Sequence, residues 1–373
     1  MRDNAPVYFD ESSGVWGITR YADVRAISRD PKTFSSQGGI RPDTGALPMM
    51  IDMDDPEHSR RRKLVSSGFT PRKIRDIEDH VGMVCDLIID RVCTLGTCDF
   101  VRDIAAPLPM ILIGDMLGIA PEDRDDLLRW SDVMLSALGS SDPNAMIDAA
   151  GAFNEYTTYI GNVIEDRRSS GKQDDLTGTL VHAIVEGDYL DDASLVHETL
   201  LILIGGDETT RHVISGGYYE LLTHPEQLEM LAHNPTLMNS AVEECLRWVS
   251  PIKNMARTAA HDTEVQGQTI GKGQKLLLLY PSANRDERQF DRPDEFDIKR
   301  SPNDHIAFGF GPHFCMGNQL ARLELRVMFS KLLSRLPDLH LIDPTEPLRR
   351  FANFVSGFEA MPIEFTPTEP VVS

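Results

Sequence analysis

Phe308-Gly309-Phe310-Gly311-Pro312-His313-Phe314-Cys315-Met316-Gly317 is the stretch on which the reading of this chain turns. Its glycines and proline exclude regular structure and let the backbone fold tightly around the cysteine. An amphipathic helix is predicted directly afterwards, over Asn318–Leu336, with apolar Leu320, Leu323, Val327 and Leu332. Cys315 therefore falls at a helix N-terminus, where unpaired N–H groups and the positive dipole end favour a thiolate. A thiolate held by N–H donors beside flat aromatic side chains is what a haem iron requires of its ligand. A buried structural cysteine is the alternative that local physics leaves open.

Upstream, Leu195, Val196, Leu200, Leu201, Ile202, Leu203 and Ile204 leave no polar face, the pattern of a helix crossing a protein's centre. Gly205-Gly206-Asp207-Glu208-Thr209-Thr210 follows. Two glycines inside a helix cost about 1 kcal/mol each relative to alanine, and a buried acid costs more unless it is paired. Either the helix runs through and something offsets these costs, or it ends at Gly205-Gly206 and a new helix is capped by Asp207 or Thr209.

The remaining chain is predicted to be mainly α with a smaller β portion, in a single domain over residues 1–373. Pro6–Phe9 and Val15–Thr19 flank a turn and read as a hairpin. Helical periodicity covers Pro71–Leu95, Pro121–Leu138, Ala145–Arg168, Asp192–Leu222 and Pro225–Val249, the last as one helix or two. Glu264–Ile270, Lys275–Tyr280, Leu339–Ile342 and Pro362–Phe365 read as β, and Ala283–Arg300 as an irregular polar meander. The net charge of −21 over 373 residues repels nucleic acid and anionic membrane. No apolar run approaches the roughly 18 residues of a membrane span. Cys85, Cys93, Cys98 and Cys245 match no zinc or disulfide spacing and read as core filling; the odd set of five fits a reducing cytoplasm.

Phe308, Gly311, His313, Cys315 and Gly317 resemble the haem-binding signature of cytochromes P450, and Gly205, Gly206, Glu208 and Thr209 resemble that family's distal-helix motif. The resemblance implies an α-rich prism with a long central distal helix and Cys315 as axial ligand of haem b (iron protoporphyrin IX). It implies that the two glycines let dioxygen approach the backbone, that Thr209 hydrogen-bonds the oxygen, and that Glu208 relays protons from solvent. His58 and Arg62 (four apart, on one helix face), Arg257 and His313 are the implied partners of the haem propionates. Glu244 and Arg247 match the family's buried structural ion pair, closed by Arg300 or Arg288.

The resemblance extends over nearly the whole chain, which opens abruptly and is expected to lack the first residues of a leader. Met49–Arg72 and Gly205–Gly217 are most similar to bacterial P450s that oxidise the side chain of cholesterol and cholest-4-en-3-one at the terminal methyl, with further oxidation to the acid. Such an enzyme needs O2 and electrons from a ferredoxin and an NAD(P)H-dependent ferredoxin reductase, since no dinucleotide or phosphate loop is present. Arg60, Arg61, Arg62, Lys63, Arg72, Lys73 and Arg75 are the expected docking patch for the ferredoxin. The substrate pocket is expected to be large and apolar, walled by Leu201, Ile202, Gly205, Val249, Ile252 and Met255, with contributions from Gln37–Met50 and Phe351–Phe358. A monooxygenase for another large apolar substrate (fatty acid, terpenoid or polyketide) and a haem-thiolate sensor are the alternatives.

Overall fold

The tract left open above is one helix. Asp192–Thr223 runs uninterrupted through Gly205-Gly206, so the reading in which Asp207 or Thr209 caps a second helix is excluded. Its start is capped by Asp191, whose carboxylate accepts the Ser194 N–H at 2.8 Å. Being apolar all round before Gly205, it is sheathed on several sides. Pro107–Leu117, Met238–Val249 and Asn318–Arg335 pack against it, and most of its length is buried in the larger of the hydrophobic cores. The structure, a computed structural model, describes residues 1–137, 142–343, 345, 347–349 and 352–372.

The chain is mainly α with a smaller β portion, as expected. Pro71–Leu95 breaks at Ile77 into Pro71–Asp76 and Glu78–Asp90. The region from Pro121 opens as a 3-10 turn and continues as Arg124–Ser136; Leu138 lies outside the described residues. Ala145–Arg168 is the body of Pro143–Ser170, capped by Asp142 at its start and by left-handed Gly171 at its end. Pro225–Val249 resolves into Pro225–His233, a 3-10 turn and Met238–Val249.

The hairpin Val7–Asp10/Val15–Ile18 joins a five-stranded sheet. There Val15–Ile18 runs parallel to Lys275–Leu279, which pairs antiparallel with Asn254–Ala259, and Phe34–Ser35 closes the edge. The strand Asn254–Ala259 was not legible in the sequence. Its alternation puts Met255 and Arg257 on one face, and both reach the central cavity. Cys85, Cys93 and Cys245 are buried, Cys98 is half-buried, and all are free. No helix among the described residues is long and apolar enough to cross a membrane.

Candidate active site

The cysteine loop folds back on itself at two glycines. Gly309 and Gly311 adopt φ of +71° and +75°, and a Cβ on Gly311 would lie 2.3 Å from the Ser28 carbonyl oxygen, so only glycine fits. The Cys315 N–H donates to Phe308 O at 2.9 Å, which turns the side chain into the cavity beneath the distal helix. Burial pushes the Cys315 thiol up, against the pull of the Gly317 N–H, Arg62, Arg322 and the Asn318 N–H. The Gly317 and Asn318 N–H groups favour the thiolate, as expected of a helix start, and burial opposes them.

Four basic side chains meet at one wall. His58 and Arg62 come from the helix Glu57–Ser66, Arg257 from its strand and His313 from the cysteine loop. The two imidazoles lie 4.0 Å apart between centroids. Burial, Arg257, His58 and Arg62 push the His313 imidazole down to about 2, and burial and Arg62 lower His58. Arg257 is 4% exposed and its guanidinium donates to the Ala256 carbonyl at 2.8 Å; Arg62 donates to the Phe314 carbonyl at 2.5 Å. Among the described residues neither arginine has a carboxylate within ion-pairing distance, and Asp55 is 3.8 Å from His58. Two arginines answered only by carbonyls, with two imidazoles beside them, make a site for a ligand carrying more than one negative charge. With Cys315 on the same cavity, these residues fit a haem with two propionates.

Above this wall the distal helix presents a gap. Nothing lies within 4 Å of where a Cβ of Gly205 would stand, whereas a Cβ on Gly206 would meet Ile113 at 2.5 Å. The first glycine leaves space open, and the second allows close helix packing. Thr209 faces the cavity and its hydroxyl donates to the Gly205 carbonyl at 2.8 Å. Glu208 turns the other way. It is buried and accepts from Arg211 at 2.9 Å, and Arg211 also reaches Asp132 at 3.1 Å, a residue open to solvent. The acid is thus not a cavity-wall residue but the inner end of an ion chain to the surface.

The predicted ion pair is wholly buried. Arg247 donates to both Glu244 oxygens at 2.7 and 2.8 Å, and Arg300 donates to Glu244 at 3.1 Å. Arg300 is therefore the closing residue; Arg288 pairs instead with Asp3, Asp286 and Glu287.

The cavity lies between the cysteine loop and the distal helix, and its lining is mainly apolar. Leu201, Ile202, Gly205, Ile252, Met255, Phe308 and Gly317 line it. Val249 does not, because its side chain turns onto Gly216, where a Cβ would meet it at 2.9 Å. Ile40 and Met50 contribute from the first expected loop; none of the described residues 352–358 of the second lines the cavity, and Phe351 lies outside the described residues. Ile51, Phe69, Ile113, Leu246 and Glu324 are lining residues that sequence reasoning missed. The apolar run of Pro107–Leu117 was the available signal for Ile113. Of the expected basic patch, Arg61 turns inward to Glu198 at 3.2 Å and Arg62 to the cavity. Arg60 and Lys63 pair with Asp188 and Glu186, while Arg72, Lys73 and Arg75 stay exposed.

Comparison with known proteins agrees with this geometry. Residues 131–357 match the family model "Cytochrome P450". The chain is 52% identical over its whole length to a steroid C26-monooxygenase of Mycolicibacterium smegmatis, covering 93% of that protein. It is 36% identical to a vitamin D(3) 25-hydroxylase of Pseudonocardia autotrophica, over 95% of this chain and 88% of that one. A Bacillus megaterium cytochrome P450 solved in complex with corticosterone superposes with a TM-score of 0.90 at 32% identity, over 98% of this chain and 96% of that chain. The chain belongs to the cytochrome P450 family, and its cofactor is haem.

Proposed function

We propose that this protein is a haem-thiolate monooxygenase that hydroxylates the terminal methyl of a sterol side chain, cholesterol or cholest-4-en-3-one, with capacity to continue to the acid. The observation that carries the reading is the full-length 52% identity to steroid C26-monooxygenases. Cys315 would ligate the iron, and Arg62, Arg257, His58 and His313 would hold the propionates. Bound haem supplies the oxygen-activating chemistry.

The chain's own residues set its conditions. Met50, Ile51, Leu201, Ile202 and Met255 exclude water and orient an apolar body. A terminal methyl carries stronger C–H bonds than the methylenes behind it, so the substrate must enter end-on and be held there. Gly205 leaves room beside the reacting carbon, and Thr209 offers its hydroxyl oxygen there. Arg211 holds Glu208 and Asp132 on one line, and the two carboxylates would carry a proton from solvent towards the Thr209 side of the cavity. Electrons would come from a ferredoxin and its NAD(P)H-dependent reductase in the cytoplasm. The exposed Arg72, Lys73 and Arg75 support an acidic partner.

Titrating the purified holoprotein with cholest-4-en-3-one while recording the visible spectrum tests the reading. A low-spin to high-spin Soret shift at low sterol concentration, with a terminal alcohol among the products of turnover, is expected. A red protein without a shift overturns the sterol, and a colourless protein overturns the assignment of Cys315.

A further inference from the structure

The loop that supplies Ile40, Met50 and Ile51 to the cavity is braced by two buried carboxylates. Asp52 accepts from the Ile40 N–H at 2.8 Å, the Leu47 N–H at 3.0 Å and the Arg41 guanidinium at 3.2 Å, which closes the loop on itself. Lys275 of the five-stranded sheet fastens its base by donating to the carbonyls of Arg41 and Thr44, each at 3.1 Å. Glu198 ties the other end to the distal helix. It is fully buried and accepts from the Met50 N–H at 2.8 Å and from Arg61 at 3.2 Å. Arg61 spans the same junction, since it also donates to the Pro48 carbonyl at 3.0 Å and to the Ser194 hydroxyl at 2.9 Å.

Neither Glu198 nor Arg61 lines the cavity, so neither is a contact for substrate. Stability does not account for the pair. Burial outweighs the Met50 N–H and Arg61 and pushes the Glu198 carboxyl up to about 7, so holding it ionised inside the protein is a net cost. What the carboxylate secures is position. Glu198 lies three and four residues before Leu201 and Ile202, one turn along the same helix. The Met50–Asp52 turn and that helical wall are thereby fixed to each other.

We propose that Glu198 and Arg61 are positioning residues, which hold the Met50–Ile51 wall against the distal helix and so confine oxidation to the terminal methyl. A side chain passing between two walls of fixed spacing presents its end at one depth. The methyl is attacked ahead of the weaker C–H bonds behind it only while that depth is kept. A wall free to yield lets the chain slide or fold and brings inner carbons forward. The selectivity rests on the sterol reading above; the brace does not.

The test joins product analysis of the holoenzyme on cholest-4-en-3-one with hydrogen–deuterium exchange. Glu198→Leu removes both hydrogen bonds at similar volume, and Arg61→Ala, at a partly exposed position, reads the same brace should Glu198→Leu fail to fold. In each, the share of product oxidised at inner carbons should rise several-fold, with the Soret spectrum of the substrate-free protein unchanged. Glu198→Gln, whose amide oxygen still accepts from the Met50 N–H, should recover the selectivity. The segment 49–53 should exchange several-fold faster in Glu198→Leu and Arg61→Ala, while the helix Asn318–Arg335 exchanges as before. An unchanged product ratio in the folded variants overturns the positioning role, and faster exchange throughout the protein, in place of a local change, overturns the brace. A wild-type enzyme that oxidises no sterol overturns the proposed function; local exchange at 49–53 then upholds the brace if it quickens and overturns it if it does not.

Discussion

Two clusters of buried charge flank the cysteine loop, and they are built on opposite rules. In the first, Arg247 answers Glu244 with two hydrogen bonds and spends its remaining donors on the carbonyls of Asn284, Pro293 and Glu295, while Arg300 and Asn303 complete the glutamate. In the second, Arg62, Arg257, His58 and His313 face one wall with carbonyls and one distant carboxylate for company. A buried network with matched donors and acceptors fixes a backbone and needs nothing from outside. A buried excess of one sign is stable only when a ligand of the other sign arrives. The difference separates scaffold from site without appeal to any relative.

The largest effect should come from the closed cluster. Arg247→Ala leaves Glu244 buried without its main partner, a loss on the order of 3–5 kcal/mol, so soluble yield and thermal midpoint should collapse. A well-folded variant would break the comparison. Next is the open cluster. Arg257→Ala should release haem to an acceptor protein about 10- to 100-fold faster, the equivalent of a charge-assisted hydrogen bond of about 1.5–3 kcal/mol. The haem-free chain should be no less stable than its parent, because a repulsion is relieved. Equal damage to both would erase the distinction drawn here.

A smaller effect sharpens the rule for acids. Burial raises Asp207 from 3.8 to about 7. In that window the native state holds a proton that the unfolded chain has lost. Stability therefore falls as pH rises through it, by about 1.4 kcal/mol per pH unit for one group. Asp207→Asn should flatten that fall in melting experiments, and an unchanged pH profile would show that the acid is already answered. The smallest effect belongs to the exposed surface. Charge reversal at Lys73 and Arg75 should slow reduction by an acidic ferredoxin at low salt, with the difference fading as salt is raised.

Much of this was legible from short-range pattern. The tight loop around Cys315, the apolar tract from Leu195 and the four-residue spacing of His58 and Arg62 each carry their geometry locally. Whether the chain breaks at Gly205-Gly206 was not legible, because capping and close packing use the same residues, and the contact that decides it, Ile113 against Gly206, comes from ninety-three residues upstream. Val249 failed for a similar reason. Its neighbour in sequence faces one way and its partner Gly216 lies on another helix. The N–H donors around Cys315 were legible because a helix end is visible in sequence; the depth at which the thiol sits was not. Glu324 was passed over for want of a motif, and only the folded cavity shows that it lines the site.

The open cluster also bears on how the protein is made. A chain that leaves the ribosome before its cofactor is at hand must bring Arg62 and Arg257 to one wall with no carboxylate paired to either, so the final closure of that wall waits for the cofactor. By mass action, whatever binds only the folded form draws folding forward. Cells starved of iron or porphyrin should then accumulate less of this protein from the same messenger, and its abundance becomes a gauge of their haem supply.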